Sequence, residues 1–174
     1  ALRSLEIGIS GWESDGIISL EHENDLINNL RTPTAERILF IKKAMELGKD
    51  NSYINKASNI DLWFIEKLRI IFDFENKYLK NSDLFSLNKE IILKAKQLGF
   101  SDKQIANLTN NDFFEVRNYR ISLNVLPIYK TVDTCSAEFE STTPYHYSTY
   151  EDAFNNGNED LKDNEGLRDE REDL

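Results

Sequence analysis

Between residues 22 and 122 the chain is a succession of short segments in which apolar side chains recur every three or four residues. That spacing places the apolar side chains on one face of a helix, as in an α-helix packed against a core. Capping residues, glycine or proline separate one segment from the next. The sequence therefore predicts an all-α fold: a compact bundle of six or seven short helices, followed by an extended connector and an acidic, flexible tail.

Local signals define the predicted ends of these helices. Thr32 is predicted to be an N-cap with Pro33 in the first helical position, and Gly48 ends the same helix. Ser101 and Gln104 have the spacing of a capping box, in which the Gln104 side chain reaches back to the cap. The predicted helices cover residues 22–31, 33–47, 51–57, 60–80, 84–98 and 102–108. A last helix, capped by Asn111 or Asp112, is predicted to run to Ser122. The inward face of the longest helix is predicted to consist of Phe64, Leu68, Ile71, Phe72 and Tyr78.

The formal net charge of -10 is concentrated at one end of the chain. Residues 151–174 hold ten of the 31 acidic residues but only three of the 21 basic ones, so they carry -7 and residues 1–150 carry -3. Nucleic-acid binding requires clustered lysine and arginine, which a nearly neutral body does not provide. An acidic run of this type is usually a solvated spacer, and we expect no nucleic-acid partner.

The contents of cysteine, histidine and apolar residues narrow the class of protein further. The single cysteine, Cys135, cannot form an internal disulfide, which favours a reducing compartment and a cytoplasmic location. Two histidines and one cysteine are too few for a structural zinc site. No apolar run approaches the roughly 20 residues of a membrane span, and the first residues lack the apolar centre of a signal peptide. We therefore expect neither a metal centre nor a membrane partner.

The helical period is lost after Pro127, where Ile128–Val132 is predicted to be extended. Small, acidic and aromatic side chains then alternate through two stretches, Val132–Phe139 and Thr143–Tyr150. Such a segment takes its structure from its surroundings, so we predict a structural connector. Its candidate residues are Asp133, Thr134, Cys135, Glu138, Phe139, Thr143, Pro144, Tyr145 and Tyr150.

Chemical roles for the connector are hypotheses. We expect Asp133 and Glu138 to accept hydrogen bonds from backbone amides or from an arginine across a domain junction. Cys135 and His146 could form a nucleophile–base pair, but that chemistry needs a lowered thiol pKa and a third, orienting group. A small buried side chain is the favoured interpretation of Cys135. No residue is predicted to be catalytic, to bind a cofactor or to hold a metal.

A helix-turn-helix nucleic-acid-binding domain is the main alternative from another functional class. Gly99–Leu108, a turn and Phe114–Arg120 have the spacing of such a motif. A recognition helix needs a basic surface, yet residues 101–124 contain three basic and three acidic residues and have no net charge. A helical adaptor that binds a partner through exposed apolar helix faces is the second alternative.

Several sequence elements occur in the order of a known family. These elements are Ala1–Glu6, Pro33–Arg37, Ile60–Phe64, Ala95–Ala106, Val116–Arg120, Tyr129–Cys135 and Thr143–Tyr150. Together they resemble the oligomerisation domain in the large chain of glutamine-hydrolysing carbamoyl-phosphate synthase, including its Ala-Lys-x-x-Gly-Phe-Ser-Asp-x-x-Ile-Ala signature. Ser136 replaces the family's usual alanine, and an acidic segment after Glu151 stands where the family enters a glycine-rich strand and loop.

The resemblance implies a role inside a larger enzyme. In this family two ATP-grasp units flank the helical domain and use ATP with Mg²⁺ or Mn²⁺. They make carbamoyl phosphate, for pyrimidine and arginine synthesis, from bicarbonate, glutamine-derived ammonia and two ATP. The implied partners are the flanking ATP-grasp units of the same chain, a glutamine amidotransferase unit and a second copy in a homo-oligomer. The segment itself is expected to be a non-catalytic middle piece, acting as a spacer and an assembly surface.

The same resemblance gives the expected domain limits. Residues 1–6 would end the preceding ATP-grasp unit, and residues 7–126 would form the helical oligomerisation domain. Residues 127–151 would be the connector toward the second ATP-grasp unit, and residues 152–174 an acidic insertion or linker. The helix-turn-helix spacing would then be a coincidence of capping and packing.

Overall fold

The computed structural model describes residues 5–9, 11–12, 18, 23–132 and 145–151. These residues belong to two compact units, one up to Leu126 and the other from Pro127 onward. The first unit is helical, and the second contains a small antiparallel ribbon. No helix in the described part of the chain is long and apolar enough to cross a lipid bilayer.

Seven α-helices lie in the described residues, and the longest has 13 residues. They are α1 (Glu23–Arg31), α2 (Arg37–Glu46), α3 (Asn51–Ser58), α4 (Leu62–Phe74), α5 (Lys89–Gln97), α6 (Asp102–Thr109) and α7 (Phe113–Ser122). A π-helical turn, Glu75–Leu79, continues α4, and a 3₁₀ turn, Leu84–Ser86, precedes α5. The predicted bundle of six or seven short helices is confirmed.

Aliphatic side chains from the successive helices fill the interior of the first unit. The largest fully buried side chains are Leu26, Leu30, Leu39, Ile41, Ile54, Ile65, Leu79, Leu84, Ile92, Ile105, Val116 and Val125. Helix α1 packs against α2 and α3, α3 packs against α4, and α6 packs against α7. Since each such side chain stabilises the fold by roughly 1.5–3 kcal/mol on leaving water, apolar burial is the main force that holds the bundle together.

Polar side chains at helix starts accept hydrogen bonds from backbone amides that the helices themselves leave without partners. The residues that do so are Asp50, Asp61, Asn88, Ser101 and Asp112. Asp112 forms a full capping box with Glu115, whose carboxylate accepts the Asp112 amide at 3.1 Å. At two helix ends Asn59 and Asn110 are left-handed, with φ of 57° and 54°. These local signals explain why the limits of α3, α6 and α7 were predicted to within a residue.

The predicted start of α2 is wrong. The helix begins at Arg37, not at Pro33. The amide of Thr34 donates to the carbonyl of Thr32 at 2.9 Å, which closes a turn before the helix begins. Glu36, directly before α2, already has a helical backbone and makes no side-chain cap. The Thr-Pro pair therefore belongs to a turn, for which the fixed φ of proline is equally suited.

Two further local predictions need correction. The helix predicted over residues 84–98 is interrupted at Asn88, whose ψ of 173° is extended and whose side chain caps α5. The capping box predicted at Ser101 is only half formed, because the Ser101 hydroxyl accepts the Gln104 amide at 3.1 Å but the Gln104 side chain lies elsewhere. It occupies the space beside Gly11, where an ideal Cβ would lie 2.1 Å from Gln104 Oε1.

The inward face of α4 differs from the prediction at Phe64, which is 58% exposed. The adjacent Ile65 is fully buried, and Leu68 and Phe72 pack against the core. Ile65, Leu68 and Phe72 follow one another by three and four residues, so they share the side of α4 that faces inward. Periodicity misplaced Phe64 because α4 is apolar nearly all the way round.

The second unit contains an antiparallel two-stranded ribbon. Strand β1 (Ile128–Val132) pairs with strand β2 (Tyr145–Thr149), and the register joins Ile128 to Thr149 and Val132 to Tyr145. The extended conformation predicted for β1 is confirmed. The pairing was not predicted, because residues 133–144 separate the strands and the sequence lacks the two-residue turn that marks a short hairpin.

Candidate assembly surface

Two of the nine predicted connector residues lie in the described part of the chain. Tyr145 is the first residue of β2, pairs with Val132 and is exposed. Tyr150 directly follows β2 and is half-buried. The other seven, which lie outside the described residues, are Asp133, Thr134, Cys135, Glu138, Phe139, Thr143 and Pro144. The hydrogen bonds expected for Asp133 and Glu138 therefore stay predictions.

The one described member of the hypothetical nucleophile–base pair is His146. Its Nδ1 lies 3.1 Å from the hydroxyl of Thr131, its partner on the neighbouring strand. Cys135 lies outside the described residues, so its pairing with His146 stays a hypothesis. Across the described residues, no group of three His, Cys, Asp or Glu side chains is placed to hold a metal ion.

A buried lysine joins the N-terminal segment to two helices. Lys42 of α2 donates to the Trp12 carbonyl and to Glu75 Oε1, both at 2.6 Å. Trp12 donates its indole N–H to the Ile38 carbonyl at 2.8 Å, and its ring centroid lies 5.8 Å from Lys42 Nζ. The Trp12, Lys42 and Glu75 side chains are almost completely buried. This Trp12–Lys42–Glu75 cluster fastens the segment that enters the bundle to α2 and to the turn after α4.

Glu75 is the member of this cluster whose hydrogen bonding is incomplete. Burial raises the pKa of its carboxyl group above the ordinary value, and the charge and hydrogen bond of Lys42 only partly oppose that rise. Its second oxygen, Oε2, is buried and has no hydrogen-bond partner among the described residues. A buried polar atom without a partner costs roughly 1–3 kcal/mol, so this position is sensitive to any change that removes Lys42.

A second buried cluster joins the end of α5 to α6 and α7. Asp102 accepts hydrogen bonds from Arg120 Nε at 3.1 Å, from Arg120 Nη2 at 2.9 Å and from Lys96 Nζ at 2.8 Å. Arg120 Nη1 also donates to the Val125 carbonyl at 2.7 Å, and Lys96 donates to the Phe100 carbonyl at 2.8 Å. The Lys96–Asp102–Arg120 cluster therefore fixes three helices and the loop that follows α7.

The direction of the pKa shifts in this cluster indicates that the hydrogen bonds to Asp102 compensate for its burial. Burial alone would raise the pKa of Asp102, but the hydrogen bonds from Arg120 and Lys96 outweigh it and lower the pKa. Burial also lowers the pKa of Lys96, because it outweighs the hydrogen bond and the charge supplied by Asp102. Buried charges persist in proteins only when they are paired in this way, so the cluster has a structural role.

The same cluster bears on the helix-turn-helix alternative. Helices α6 and α7 pack against each other, as the two helices of such a motif do. Arg120, one of the three basic residues that a recognition surface would need, is only 8% exposed and is bonded to Asp102. A side chain held inside the bundle is not available to a DNA phosphate, so the structure gives this alternative no support.

Two exposed surfaces carry large apolar side chains. The first is the outer side of α4, where the Trp63 and Phe64 rings meet edge to face at 5.0 Å. The second lies around the 3₁₀ turn and α7, where the Phe85 and Tyr119 rings are 5.3 Å apart. The exposed apolar residues are Leu62, Trp63, Phe64 and Ile70 on α4, Phe85 in the 3₁₀ turn, and Phe113, Phe114 and Ile121 on α7. We therefore treat these groups of exposed apolar side chains as candidate protein contact surfaces.

An open cleft of ≈ 480 Å³ lies beside the loop between α2 and α3. Its polar groups are used within the fold. Arg69 donates to the Lys49 carbonyl at 2.7 Å and to Asn51 Oδ1 at 3.0 Å, while Asp50 accepts the Tyr53 amide at 2.7 Å. These bonds anchor α4 to the start of α3, so the cleft has a structural explanation.

Neither buried charged cluster was predicted from the sequence. One signal was present for Lys42, which follows Ile38 and Leu39 by four and three residues and so lies on the apolar side of α2. Asp102 directly follows the cap of α6, where the helix dipole alone accounts for an acidic residue. Its partner Arg120 is 18 residues away, and no local pattern connects the two.

With its short helices around an aliphatic core, the first unit is a small all-α domain, and its exposed apolar side chains are candidates for contact with other folded units. Residues 1–124 match the family described as carbamoyl-phosphate synthetase large chain, oligomerisation domain. The chain belongs to this family, as the sequence resemblance predicted.

Curated relatives named carbamoyl phosphate synthase large chain are similar over most of the chain. The protein from a Nostoc species is 45% identical over 152 residues, which cover 87% of this chain and 14% of the relative. The protein from Archaeoglobus fulgidus is 40% identical over 174 residues, which cover 98% of this chain and 15% of the relative. An arginine-specific, chloroplastic relative from Arabidopsis thaliana is 46% identical over 152 residues, covering 87% of this chain and 13% of the relative. The chain thus spans about one-seventh of the length of these relatives.

Proposed function

We propose that this segment is the central spacer and assembly domain of a carbamoyl-phosphate synthase large chain and supplies no reacting group itself. The match of residues 1–124 to the oligomerisation-domain family, among relatives about seven times longer, carries this proposal. The exposed apolar surfaces on α4 and α7 support it, since they suit a domain that contacts other folded units. Within each of the two buried clusters, the acidic and basic side chains pair with one another, and the basic ones also donate to backbone carbonyls. These charges therefore have a structural role.

The parent enzyme would make carbamoyl phosphate from bicarbonate, glutamine-derived ammonia and two ATP. Its ATP and Mg²⁺ or Mn²⁺ sites would lie in the ATP-grasp units on either side of this segment. A glutamine amidotransferase unit would deliver the ammonia, and the product would serve pyrimidine or arginine synthesis. The single cysteine of the segment supports a cytoplasmic location for the parent.

The domain limits expected from the sequence form part of the proposal. Residues 7–126 would be the helical domain, and residues 127–151 the connector to the second ATP-grasp unit. Residues 1–6 would end the first ATP-grasp unit, and residues 152–174 would be an acidic insertion or linker. The nine connector residues would hold the extended segment in place between units.

A chimera tests this proposal. The matching segment of the Nostoc large chain is replaced by residues 1–151, and carbamoyl phosphate formation from ammonia, bicarbonate and ATP is measured. A control chimera receives the corresponding segment of the Archaeoglobus fulgidus relative, which is itself named carbamoyl phosphate synthase large chain. We expect both chimeras to keep synthesis and the sedimentation coefficient of the parent. A folded chimera with residues 1–151 that makes no carbamoyl phosphate, beside an active control, would contradict the proposal.

A further inference from the structure

Helix α4 is apolar over most of its circumference, apart from the charged stripe of Glu66, Arg69 and Asp73, but its apolar part is only partly covered. Nine of its 13 residues are apolar, yet Ile65 alone among them is fully buried within this structure. Trp63 is 55% exposed, and Leu62, Phe64 and Ile70 are exposed as well. The apolar part of a helix in a globular protein normally packs against a core. The first unit therefore leaves one side of α4 for another protein surface.

The exposed residues form one continuous surface. Trp63 and Ile70 are seven residues apart, two helical turns, so they lie on the same side of α4 and opposite Ile65. The Trp63 ring contacts Phe64 edge to face and lies 5.2 Å from Lys67 Nζ. We call Trp63, Phe64, Lys67 and Ile70 the α4 outer face. A rigid tryptophan at the centre of an apolar patch is a common anchor of protein contacts.

We propose that the α4 outer face is the docking surface for a neighbouring folded unit of the same large chain, an inference that rests on the proposed function. The area argues for this occupant over a second copy. A 13-residue helix is about 20 Å long and about 10 Å wide, so one side offers on the order of 200 Å². A stable dimer buries about 800 Å² on each partner. A unit on the same polypeptide has a millimolar effective concentration and needs far less contact area.

The position of the entering segment supports the same occupant. The Trp12 carbonyl and Glu75 Oε1 both lie 2.6 Å from Lys42 Nζ, and Glu75 directly follows α4. The chain therefore enters the bundle at one end of α4. Trp63 lies about 18 Å along the helix axis from that point, at 1.5 Å per residue. A folded unit attached through the entering segment is within reach of the α4 outer face.

The chemistry of the surface specifies the partner's complementary surface. Trp63 and Ile70 require an aliphatic or aromatic pocket, because water must leave both sides of the contact. Lys67 requires a carboxylate or a carbonyl oxygen at the edge of that pocket, since a buried ammonium without a partner is unfavourable. An apolar pocket with an acidic rim on the neighbouring unit meets both requirements.

Hydroxyl-radical footprinting of the full-length large chain tests the proposal. Oxidation of Trp63 is measured in the full-length chain and in the 174-residue segment, each at several protein concentrations, with the buried Trp12 as internal reference. We expect Trp63 oxidation to be about fivefold lower in the full-length chain at every concentration, as for a residue at the centre of an interface. Equal oxidation of Trp63 in the two proteins would overturn the proposal. Protection of the segment that grows with its own concentration would also overturn it, because a second copy would then be the occupant.

A pair of variants gives an independent measurement. Ile70→Glu places a charge on the α4 outer face, and Leu47→Glu places one at an exposed apolar position after α2, outside both apolar surfaces, as a matched control. In the full-length chain, Ile70→Glu should restore Trp63 oxidation to the level of the isolated segment, while Leu47→Glu should leave the protection intact. Unchanged protection in Ile70→Glu would contradict the proposal. Failure of the proposed function is separate, since it appears as lost synthesis in the chimera and does not depend on Trp63.

Discussion

Arg120 and Asp102 form a buried bidentate ion pair between α7 and α6, with Nε 3.1 Å and Nη2 2.9 Å from the carboxylate oxygens. Lys96 adds a third charged hydrogen bond to the same carboxylate at 2.8 Å. Arg120 also holds the Val125 carbonyl, beyond the end of α7. The packing of α6 against α7 thus depends on these charged hydrogen bonds as well as on apolar contacts. Removing one of them should change the free energy of unfolding measurably.

Arg120→Met should destabilise the bundle by about 3–5 kcal/mol, because it leaves Asp102 buried without its main partner. The free energy of unfolding is measured by urea titration with far-ultraviolet circular dichroism. Arg117→Met, on the exposed part of the same helix, is the matched control and should cost less than about 1 kcal/mol. Equal losses in the two variants would show that the ion pair contributes nothing specific.

Stability should fall in acid partly through Asp102. Its pKa in the folded protein lies below the ordinary value of 3.8, so the unfolded chain binds this proton more tightly. The contribution of Asp102 is therefore complete above the unfolded pKa and is lost as pH falls through the folded pKa. Glu75 acts in the opposite sense, because its raised pKa gives a contribution that is present below the ordinary value of 4.5 and is lost as pH rises.

The measurement is the urea midpoint as a function of pH between about 2 and 7, the range in which carboxyl groups titrate. Asp102→Asn should be less stable than the unmodified chain at pH 7, but its midpoint should change less on acidification. Glu75→Gln should instead lose more of its stability on acidification than the unmodified chain does. Parallel curves for all three proteins would mean that neither carboxyl group is linked to folding.

A double-mutant cycle should show strong coupling between Lys42 and Glu75. Lys42→Met leaves Glu75 buried and unpaired, and Glu75→Leu leaves Lys42 with the Trp12 carbonyl as its remaining partner in the cluster. Each single change should cost about 3–5 kcal/mol, because one partner of a buried pair is left behind. The double variant should cost clearly less than the sum of the two, with a coupling energy of about 2 kcal/mol.

Unfolding is followed for the four members of that cycle by the fluorescence of Trp12 and Trp63 and by circular dichroism. Additive losses would contradict the coupling. The result also tests the anchoring of the N-terminal segment: Lys42→Met should make the buried Trp12 more accessible to an acrylamide quencher. Glu46→Gln, nearby on α2 and acting on Glu75 only through its charge, serves as the control.

The helix limits could be predicted because they depend on residues that are close together in the sequence. Asp50, Ser101 and Asp112 act within three residues of their own position, so the helices that they cap were predicted almost to the residue. The pairs Lys42–Glu75 and Asp102–Arg120 span 33 and 18 residues, and they exist only after the helices pack. Periodicity cannot show such contacts, because it reports which side of a helix is apolar and not which side chain lies opposite.

The α4 outer face could not be predicted from the sequence for a related reason. An apolar residue predicts burial, but it does not say whether the covering surface belongs to the same unit. Phe64 was assigned to the inward face although it is 58% exposed in this unit. Gln104 was assigned to its own helix cap although its amide lies against Gly11, more than 90 residues away. Both errors concern the partner of a side chain, while the type of residue was interpreted correctly.

That contact between Gly11 and Gln104 gives the last prediction. An added Cβ at Gly11 would lie 2.1 Å from Gln104 Oε1, and Gln104 is 3% exposed, so its amide must move within a packed interior. Gly11→Ala should therefore destabilise the chain by about 1–3 kcal/mol, as overpacking does. Gln104→Ala removes the obstructing amide, so the double variant should be no less stable than Gln104→Ala alone. Differential scanning calorimetry measures the four midpoints, and a Gly11→Ala midpoint equal to that of the unmodified chain would mean that this glycine is not required for packing.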